Sequence, residues 1–379
     1  MTAGPERLDS LDVFRGLAIA AMILVSTPGT WTAVYAPLDH ALWHGWTMTD
    51  LVFPFLLFAM GAAVPFALAR RRGTTQRIGR HIVRRALILF ALGLVLNVIE
   101  AATPLHLDTF RIPGVLQRIA IVFLAVAWLT ERGSLRTQIA AVAAALAAYW
   151  AVLMLVPVPG VGAGVLTPEG NLTSFIDRAL LGRHLLNTIS DPEGILSTLP
   201  AIATAMCGVF AGDWLRERPT FARGSGAAGR QPNHSAWLFG AGVVATIAGL
   251  AWSRVLPINK NLWTSSFALF SAGLAAQALA LCHWLVDVKG WRGWSRPLAA
   301  YGRNPLAAYF LSVGFDSLLT RVAAGNGSLK GVVYRNAFVP WLRPCCGAEA
   351  ASLGYAVAYV LLWGVILGEM YRRRIFIRI

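Results

Sequence analysis

Residues 51–69 form an apolar run, LVFPFLLFAMGAAVPFALA, that contains no ionisable side chain. A helix of about 20 apolar residues is long enough to cross the hydrocarbon core of a bilayer. Asp50 lies directly before the run, and three consecutive arginines, at 70–72, follow it. This pattern is typical of a membrane-spanning helix, and it restricts the fold because a chain in lipid must satisfy its backbone polar groups internally.

The composition extends this prediction to the whole chain. Of the 379 residues, 56% are hydrophobic and 13% are charged, whereas soluble domains carry about 25% charged residues. The net charge of +15 comes from arginine, since the only lysines are Lys260, Lys289 and Lys330. Arginine-rich loops of membrane proteins face the cytoplasm, so we interpret the charge as a topology signal and not as a nucleic-acid-binding surface. The four cysteines lack metal-ligand spacing, and no metal is predicted.

The predicted fold is an all-α, polytopic transmembrane bundle of about ten helices, in a single domain over residues 1–379. The segment 70–85 contains seven arginines and belongs in the cytoplasm, so both termini are predicted to be cytoplasmic and the loop before residue 48 extracytoplasmic. The predicted helices cover residues 11–25, 48–69, 86–100, 113–131, 137–156, 195–214, 236–254, 263–286, 298–319 and 350–370. Residues 157–194 and 323–349 are predicted to be outer loops.

Polar residues collect at the predicted extracytoplasmic ends of four of these helices. An ionisable group in such a place is costly and is read by default as part of a functional site. The clusters are 39–50 with His40, Trp43 and Asp50, 111–118 with Arg111 and Arg118, 190–194 with Asp191 and Glu193, and 259–263 with Asn259, Lys260 and Asn261. Together they predict a cavity that opens to the outside.

These residues also have structural interpretations. His40 could be an interfacial loop histidine, and Trp43 could belong to the aromatic belt at the membrane surface. Arg118 could pair with Asp50 or Glu193 instead of binding a ligand.

Three further charged residues also have structural interpretations. Asp12 and Arg15 are three residues apart and could pair along helix 1. Lys260 lies on the side that usually lacks cations, so it is predicted to have an acidic partner there, such as Asp191 or Glu193.

Six sequence segments, taken in the order in which they occur, resemble a known family. They are RLDSLDVFRGLAIAAMIL, DHALWHGWTMTDLVFPFLLFAMG, FRIPGVLQRIAIVF, DPEGILSTLPAI, PINKNLW and VDVKGW. In this order they resemble the heparan-α-glucosaminide N-acetyltransferase family, from helix 1 to about helix 9. The chain is similar to bacterial members, without the N-terminal portion of the lysosomal enzyme. The LDxxRG start of helix 1 is also similar to membrane acyltransferases that O-acylate surface sugars.

The resemblance implies an acetyl-CoA-dependent N-acetyltransferase in a bacterial inner membrane. Such an enzyme passes acetyl from cytoplasmic acetyl-CoA across the membrane to the amine of a glucosamine-type sugar outside. The resemblance also implies a homodimer and places the family's active-site histidine at His40. The family's asparagine near the end of helix 1 corresponds here to Ser26, which can still donate a hydrogen bond.

Acetyl transfer to an amine needs a general base and a group that stabilises the oxyanion. Histidine, with an ordinary pKa near 6.5, suits a base at neutral pH, and Asp50 or Asp39 could orient the ring of His40. Candidate donors to the oxyanion are Ser26, Asn259 and Asn261. Alternatively His40 is itself acetylated in a ping-pong route, and the residues alone leave both routes open.

The phosphates of acetyl-CoA are predicted to meet groups on the cytoplasmic side. The candidates are Arg15, Arg84, Arg85, Arg303 and Asn304. Candidate contacts to the sugar or to the pantetheine arm are Trp43, Arg111, Arg118, Asp191, Glu193, Asn259, Lys260 and Asn261. Two other functions stay open from the sequence: a permease for amino sugars or related solutes that does not acetylate them, and an inactive relative, which the Ser26 substitution suggests.

Overall fold

The computed structural model describes residues 8–69, 75–101, 106–216, 233–325 and 327–377. Within these ranges the chain forms fourteen α-helices and one hairpin of two-residue strands, which confirms the predicted all-α fold. The helices are α1 (Asp9–Ser26), α2 (Met48–Ala69), α3 (Thr75–Glu100), α4 (Val115–Arg132), α5 (Leu135–Leu155), α6 (Leu172–Leu181), α7 (Thr198–Arg216), α8 (His234–Trp252), α9 (Ser265–His283), α10 (Arg296–Arg303), α11 (Pro305–Arg321), α12 (Leu329–Ala337), α13 (Val339–Cys346) and α14 (Ala348–Arg372). Strands β1 (Ala323–Ala324) and β2 (Gly327–Ser328) pair antiparallel.

Seven helices in the described part of the chain are long and apolar enough to cross a membrane, which fits a polytopic membrane protein. They are α2, α3, α5, α7, α8, α9 and α14. Of the other long helices, α1 and α4 each carry three ionisable residues, and α11 has only 17 residues. The count of ten spans and the sidedness of the termini therefore remain predictions.

Helix α3 begins at Thr75, eleven residues before the predicted start at residue 86. The early part is rich in arginine, so the sequence predicts a loop there. Its buried residues, however, are Ile78, Ile82 and then Ala86, spaced four residues apart. That spacing forms an apolar stripe along one face of a helix, so the basic segment continues the helix beyond its apolar run.

The predicted helix over 298–319 is broken into α10 and α11 at Asn304. Pro305 has no backbone N–H and disfavours helical geometry in the residue before it. The side chain of Asn304 donates to the carbonyl of Ile375 (2.9 Å) and accepts from the N–H of Ile377 (2.9 Å). The break thus fastens the C-terminal segment beside Arg303, the last residue of α10.

Both predicted outer loops contain helices. The 157–194 segment includes α6, and the 323–349 segment includes the hairpin, α12 and α13. Helices α6 and α12 are each capped by a polar side chain. Asn171 accepts from the N–H of Ser174 (2.7 Å), and Ser328 accepts from that of Gly331 (3.1 Å). These helices have 8 to 10 residues, too short for apolar periodicity to reveal them.

Helix α2, which begins near Asp50, packs directly on α7. A Cβ atom at Gly61 would lie 1.9 Å from the carbonyl oxygen of Ala205, and one at Gly208 would lie 2.1 Å from that of Phe58. Only glycine allows two helix backbones to approach so closely. This contact holds the middle of α2 against the middle of α7 and fixes the frame from which the first turn of α2 extends.

Candidate functional site

His40 and Asp50 form a hydrogen-bonded pair where the α1–α2 loop meets the first turn of α2. Nδ1 of His40 lies 2.7 Å from Oδ1 of Asp50. The side chain of Asp50 is 1% exposed and that of His40 is 48% exposed. An ionised carboxylate can only accept hydrogen bonds, so Nδ1 carries the proton and Nε2 is left as the acceptor. The pair therefore presents a basic nitrogen at the surface and hides its orienting acid. We call this end of the bundle the His40 end.

The second oxygen of Asp50 is held by the loop that carries His40. Oδ2 accepts from the backbone N–H of Ala41 (3.1 Å) and of Thr47 (3.0 Å), and the Thr47 hydroxyl lies 3.2 Å away. The acid also lies at the N-terminal end of a helix, where the helix dipole favours negative charge. The loop and the carboxylate thus fix each other, and the imidazole has one preferred orientation.

The rest of the loop is tied to two neighbouring segments. The indole N–H of Trp43 donates to the carbonyl of Leu166 (2.7 Å), and the N–H of Gly45 donates to that of Ile258 (2.8 Å). The amide nitrogen of Asn259 donates to Nδ1 of His44 (3.3 Å), and burial lowers the pKa of His44. The Trp43 hydrogen bond and the Asn259 amide are thus used to hold the loop.

Three other predicted residues lie at the same end. Lys260 is half-buried and acts electrostatically on the Asp50 carboxylate. Asn261 is half-buried in the same segment, and Ser26 is the half-buried last residue of α1. None of the three is joined directly to His40 by a hydrogen bond within the described chain.

Arg111, Asp191 and Glu193 form an ion-paired cluster of their own. Nε and Nη2 of Arg111 bind the two oxygens of Asp191 at 2.9 and 2.7 Å, and Nη2 also binds Glu193 at 2.7 Å. Burial would lower the pKa of Arg111, but the two acids outweigh it and raise the pKa. The expectation that Asp191 or Glu193 pairs with Lys260 is therefore wrong, because a bidentate arginine satisfies these carboxylates better than a single ammonium.

Arg118 is 1% exposed and bonds to neutral groups rather than to an acid. Its Nη2 donates to the carbonyl of Gly194 (3.0 Å) and to the hydroxyl of Ser197. Its guanidinium carbon lies 5.3 Å from the ring centre of Trp263. The suggested direct pairing of Arg118 with Asp50 or Glu193 is not what the structure shows. Nε and Nη1 have no hydrogen-bond partner among the described residues.

Trp263 links this arginine to α2. The indole is fully buried and packs edge-on against Phe53, with ring centres 5.3 Å apart. Its φ angle is 49°, in the left-handed region that few non-glycine residues adopt. Such a conformation persists only where the surroundings enforce it. Here Phe53, Arg118 and the hydroxyl of Thr204, which accepts from the indole N–H at 3.2 Å, enforce it.

Asp177 on α6 is a buried acid that the sequence analysis did not single out. Oδ1 accepts from the N–H of Ile195 (2.9 Å), while Oδ2 is buried with no hydrogen-bond partner among the described residues. Burial raises the pKa of Asp177 to about 6. An unfolded aspartate has a pKa of about 3.9. Because the folded state binds this proton more tightly, the contribution to the free energy of unfolding falls as the pH rises from about 4 to about 6.

Replacing Asp177 with asparagine is therefore expected to stabilise the protein above pH 6. The amide keeps an oxygen for Ile195 and removes the buried charge, and the gain should be about 1–3 kcal/mol at pH 8. The gain should shrink towards pH 4. Melting temperatures of the detergent-purified protein across this range test it, with Asp108→Asn, an exposed acid, as the control. A stability difference that is the same at pH 5 and pH 8 would contradict the assignment.

A cavity of about 570 Å³ extends inward from the opposite end, between α1, α2, α3, α4 and α11. On α2 its lining runs from Leu56 to Leu68, a length of about 18 Å at 1.5 Å rise per residue. Its walls are mostly apolar, and most of the ionisable lining residues are basic. The ionisable residues in the lining are Asp12, Arg15, His81, Arg85, Arg303 and Tyr309. We call this end of the bundle the arginine end.

Three of the five predicted cofactor residues line this cavity. Arg303 lies 3.4 Å from Asp12 and 3.7 Å from Asp9, and Arg15 lies 3.5 Å from Asp12 and donates to the carbonyl of Gly302 (3.1 Å). The third, Arg85, packs on a phenylalanine ring at 4.8 Å. The remaining two are not among the lining residues: Arg84 is exposed, and Asn304 is used to hold the C-terminal segment.

The cavity does not reach His40. Its last lining residue on α2 is Leu56, six residues and about 9 Å of helix rise from Asp50. Phe53 lies between them on α2 and is packed on Trp263. On α2 the buried rings of Phe53 and Trp263 therefore lie between the cavity and Asp50, whereas on α4 the lining begins at Val115, the first residue of that helix.

Several residues of the site were not found from the sequence. Thr47 holds Asp50, Ser197 holds Arg118, and Tyr309 and His81 line the cavity. A threonine three residues before Asp50 is a common helix-capping position, so Thr47 carried a usable signal. The others come from helices distant in sequence, and no spacing pattern marks them.

Comparison with known proteins identifies relatives of this chain. The family described as "Heparan-alpha-glucosaminide N-acetyltransferase, catalytic" matches residues 7–245. The heparan-alpha-glucosaminide N-acetyltransferase of Homo sapiens is 30% identical over 441 aligned residues, which cover 100% of this chain and 61% of the human protein. The protein of the same name from Mus musculus is 29% identical over 361 residues, which cover 80% of this chain and 53% of the mouse protein. The chain thus spans less than two thirds of the length of either relative.

Proposed function

Because this chain belongs to the heparan-alpha-glucosaminide N-acetyltransferase family, we propose that it is a membrane-embedded enzyme that transfers acetyl from acetyl-CoA to the amine of a glucosamine-type sugar. Acetyl-CoA binds from the cytoplasm at the arginine end, and the sugar binds at the His40 end on the other side of the membrane. The observation that carries the proposal is the 2.7 Å hydrogen bond between half-exposed His40 and buried Asp50.

In this reaction His40 acts as the general base. Its Nε2 accepts a proton from the amine as the amine nitrogen bonds to the acetyl carbonyl carbon, while Asp50 keeps the proton of Nδ1 in place and stabilises the imidazolium that forms. The imidazolium then returns that proton to the sulfur as the C–S bond breaks and CoA leaves as the thiol. Lys260, which acts on the Asp50 carboxylate, adds positive charge near the developing oxyanion. Such a group stabilises an oxyanion best where water is excluded.

The oxyanion donors predicted from the sequence are not equivalent in the structure. Asn259 is 0% exposed, accepts from the N–H of Leu262 (2.9 Å) and donates to His44. Its amide is therefore committed to the loop. Ser26 and Asn261, both half-buried at the His40 end, are the remaining candidates from that set.

The cavity at the arginine end suits the chemistry of a CoA thioester. Its volume of about 570 Å³ lies within the range of roughly 300–1,000 Å³ that small-molecule sites occupy. Arg15 and Arg303 place positive charge at one end, where phosphates would bind, and the apolar walls suit the uncharged arm. To reach His40 along α2, the arm must pass the rings of Phe53 and Trp263.

The proposal also covers the location and assembly of the protein. We propose that it lies in the lipid of a bacterial inner membrane as a homodimer, as the resemblance implies. The direct test supplies detergent-purified protein with labelled acetyl-CoA and glucosamine and measures labelled N-acetylglucosamine. Uptake of unmodified sugar into vesicles without acetylation would instead favour a permease, and tight binding of acetyl-CoA without turnover would favour an inactive relative.

Replacing Arg303 with glutamine is expected to raise the KM for acetyl-CoA about tenfold, because a charge-assisted hydrogen bond to phosphate contributes about 1.5–3 kcal/mol. Asp12 keeps Arg15 as a partner, so the fold should persist. Initial rates at varied acetyl-CoA concentration test this. Arg292→Gln is the matched control, because Arg292 also contacts Asp9 (3.8 Å) but does not line the cavity. Equal KM changes in both variants would contradict a role for Arg303 in binding.

A further inference from the structure

Tyr309 lies deeper in the cavity than the other lining residues of α11. Pro305 and Leu306 line it nearer to Arg303, and Tyr309 follows one helical turn further in. Tyr309 is only 8% exposed. A polar hydroxyl has thus been placed within an apolar wall, at a distance from the charged end.

The hydroxyl of Tyr309 makes no hydrogen bond to any residue in the described ranges. Three of the four other buried tyrosines use theirs inside the protein: Tyr149 donates to the carbonyl of Leu262, Tyr301 to that of Val360, and Tyr359 to that of Ser312. Buried polar groups are normally hydrogen-bonded. A cavity-lining hydroxyl without a protein partner is therefore suited to a partner in the cavity.

The charges around Tyr309 distinguish its surroundings from the arginine end. The groups that act on it are Glu100, Glu193 and Arg111, and the last two belong to the ion-paired cluster described above. Two of these groups are acids and one is a base, so this part of the cavity has no excess of cations for a phosphate. A ligand that fills the cavity would place its anionic group near Arg303 and a neutral part at Tyr309.

We propose that the Tyr309 hydroxyl binds the neutral, amide-bearing arm of a CoA thioester by donating a hydrogen bond to one of its carbonyl oxygens. This inference rests on the proposed use of acetyl-CoA. It assigns the two ends of one cavity to two parts of one ligand, with Arg303 contacting the phosphorylated head and Tyr309 the arm.

The test compares two probes on the purified full-length chain: acetyl-CoA, and adenosine 3′,5′-bisphosphate, which has the head and lacks the arm. Tyr309→Phe should weaken acetyl-CoA binding about 3- to 10-fold, the range for one lost hydrogen bond, and leave bisphosphate binding unchanged. Arg303→Gln should weaken both. Tyr359→Phe is the matched control: it removes a structural hydroxyl, so it should lower the melting temperature and leave both affinities as in the wild type.

Three other outcomes would contradict either the inference about Tyr309 or the proposed function. If the wild type binds acetyl-CoA and Tyr309→Phe binds it equally well, the inference about Tyr309 is overturned and the proposed function stands. Equal weakening of both probes by Tyr309→Phe also overturns it, since the effect would not depend on the arm. If the wild type binds neither probe, the proposed function itself fails at its donor site.

Discussion

His40→Ala is expected to reduce acetyl transfer by about a thousandfold and to leave the fold intact. Loss of a general base typically costs a factor of about 10²–10⁴ in rate. The fold should persist because the His40 side chain is half-exposed and its hydrogen bond is to Asp50 alone, which retains two backbone donors in the loop. Initial rates of N-acetylglucosamine formation and melting temperatures measure the two effects.

The control for this variant lies in the same loop. His44 is hydrogen-bonded to Asn259 and not to Asp50, so His44→Ala should lower the rate less than tenfold. Acetyl-CoA affinity should be unchanged in His40→Ala, since His40 does not line the cavity. A His40→Ala enzyme with more than a tenth of the wild-type rate would exclude His40 as the base.

The same residue can separate the two chemical routes. In a ping-pong route, protein incubated with acetyl-CoA and no sugar carries acetyl on the peptide that contains His40. In direct transfer that peptide stays unmodified. The hydrogen bond to Asp50 fits both routes, because an oriented Nε2 serves equally as base and as nucleophile.

The sequence limits the partner of His40 to Asp50 or Asp39, because all three residues are in one short segment before an apolar run, and the structure joins the ring to Asp50. Chain continuity already limits their separation, and the run fixes where the helix starts; α2 spans Met48–Ala69, as predicted. The cost of an acid at a membrane helix end then singled out Asp50. Local sequence therefore predicted the helix and two candidate acids, and the structure distinguishes between them.

The partners of the buried arginines could not be predicted in the same way. Arg111 binds Asp191, 80 positions away, and several acids at one end of a bundle are equivalent candidates until packing brings one of them close. Arg118 goes against the rule that a buried arginine takes an acid, since it bonds to Ser197 and Gly194. Long-range packing decided both cases.

The cavity was also beyond the reach of the sequence. Its walls are ordinary apolar residues from five helices, and such residues look the same whether they fill a core or line a void. The unpredicted first part of α3 also contributes to the cavity wall, because Ile78 and Ile82 line the cavity. The sequence predicts a loop for this segment. The many basic residues around Ile78 and Ile82 hide the apolar stripe that these two isoleucines form.

Asp50→Asn is expected to lower kcat about a hundredfold with little change in the KM for acetyl-CoA. The substitution keeps the shape of the side chain but adds an N–H donor. If that amide donates to Nδ1 of His40, the ring proton moves to Nε2, and the nitrogen that should accept the proton of the amine is blocked. The variant thus changes the tautomer of His40 and not its position.

Asp39→Asn is the matched control for Asp50→Asn, because Asp39 is the neighbouring acid and touches His40 only through the backbone N–H (2.8 Å). It leaves the tautomer of the ring unchanged, so its kcat should stay within a factor of about three, well below the effect of losing a positioned base. Comparing kcat and KM for both variants with the wild type separates the two acids. If Asp39→Asn is as damaging as Asp50→Asn, the effect belongs to the charge of the loop, and Asp50 does not act by orienting His40. If only Asp50→Asn is damaging and its KM for acetyl-CoA is unchanged, the acid works on the imidazole alone, because the cavity at the arginine end binds its ligand without it.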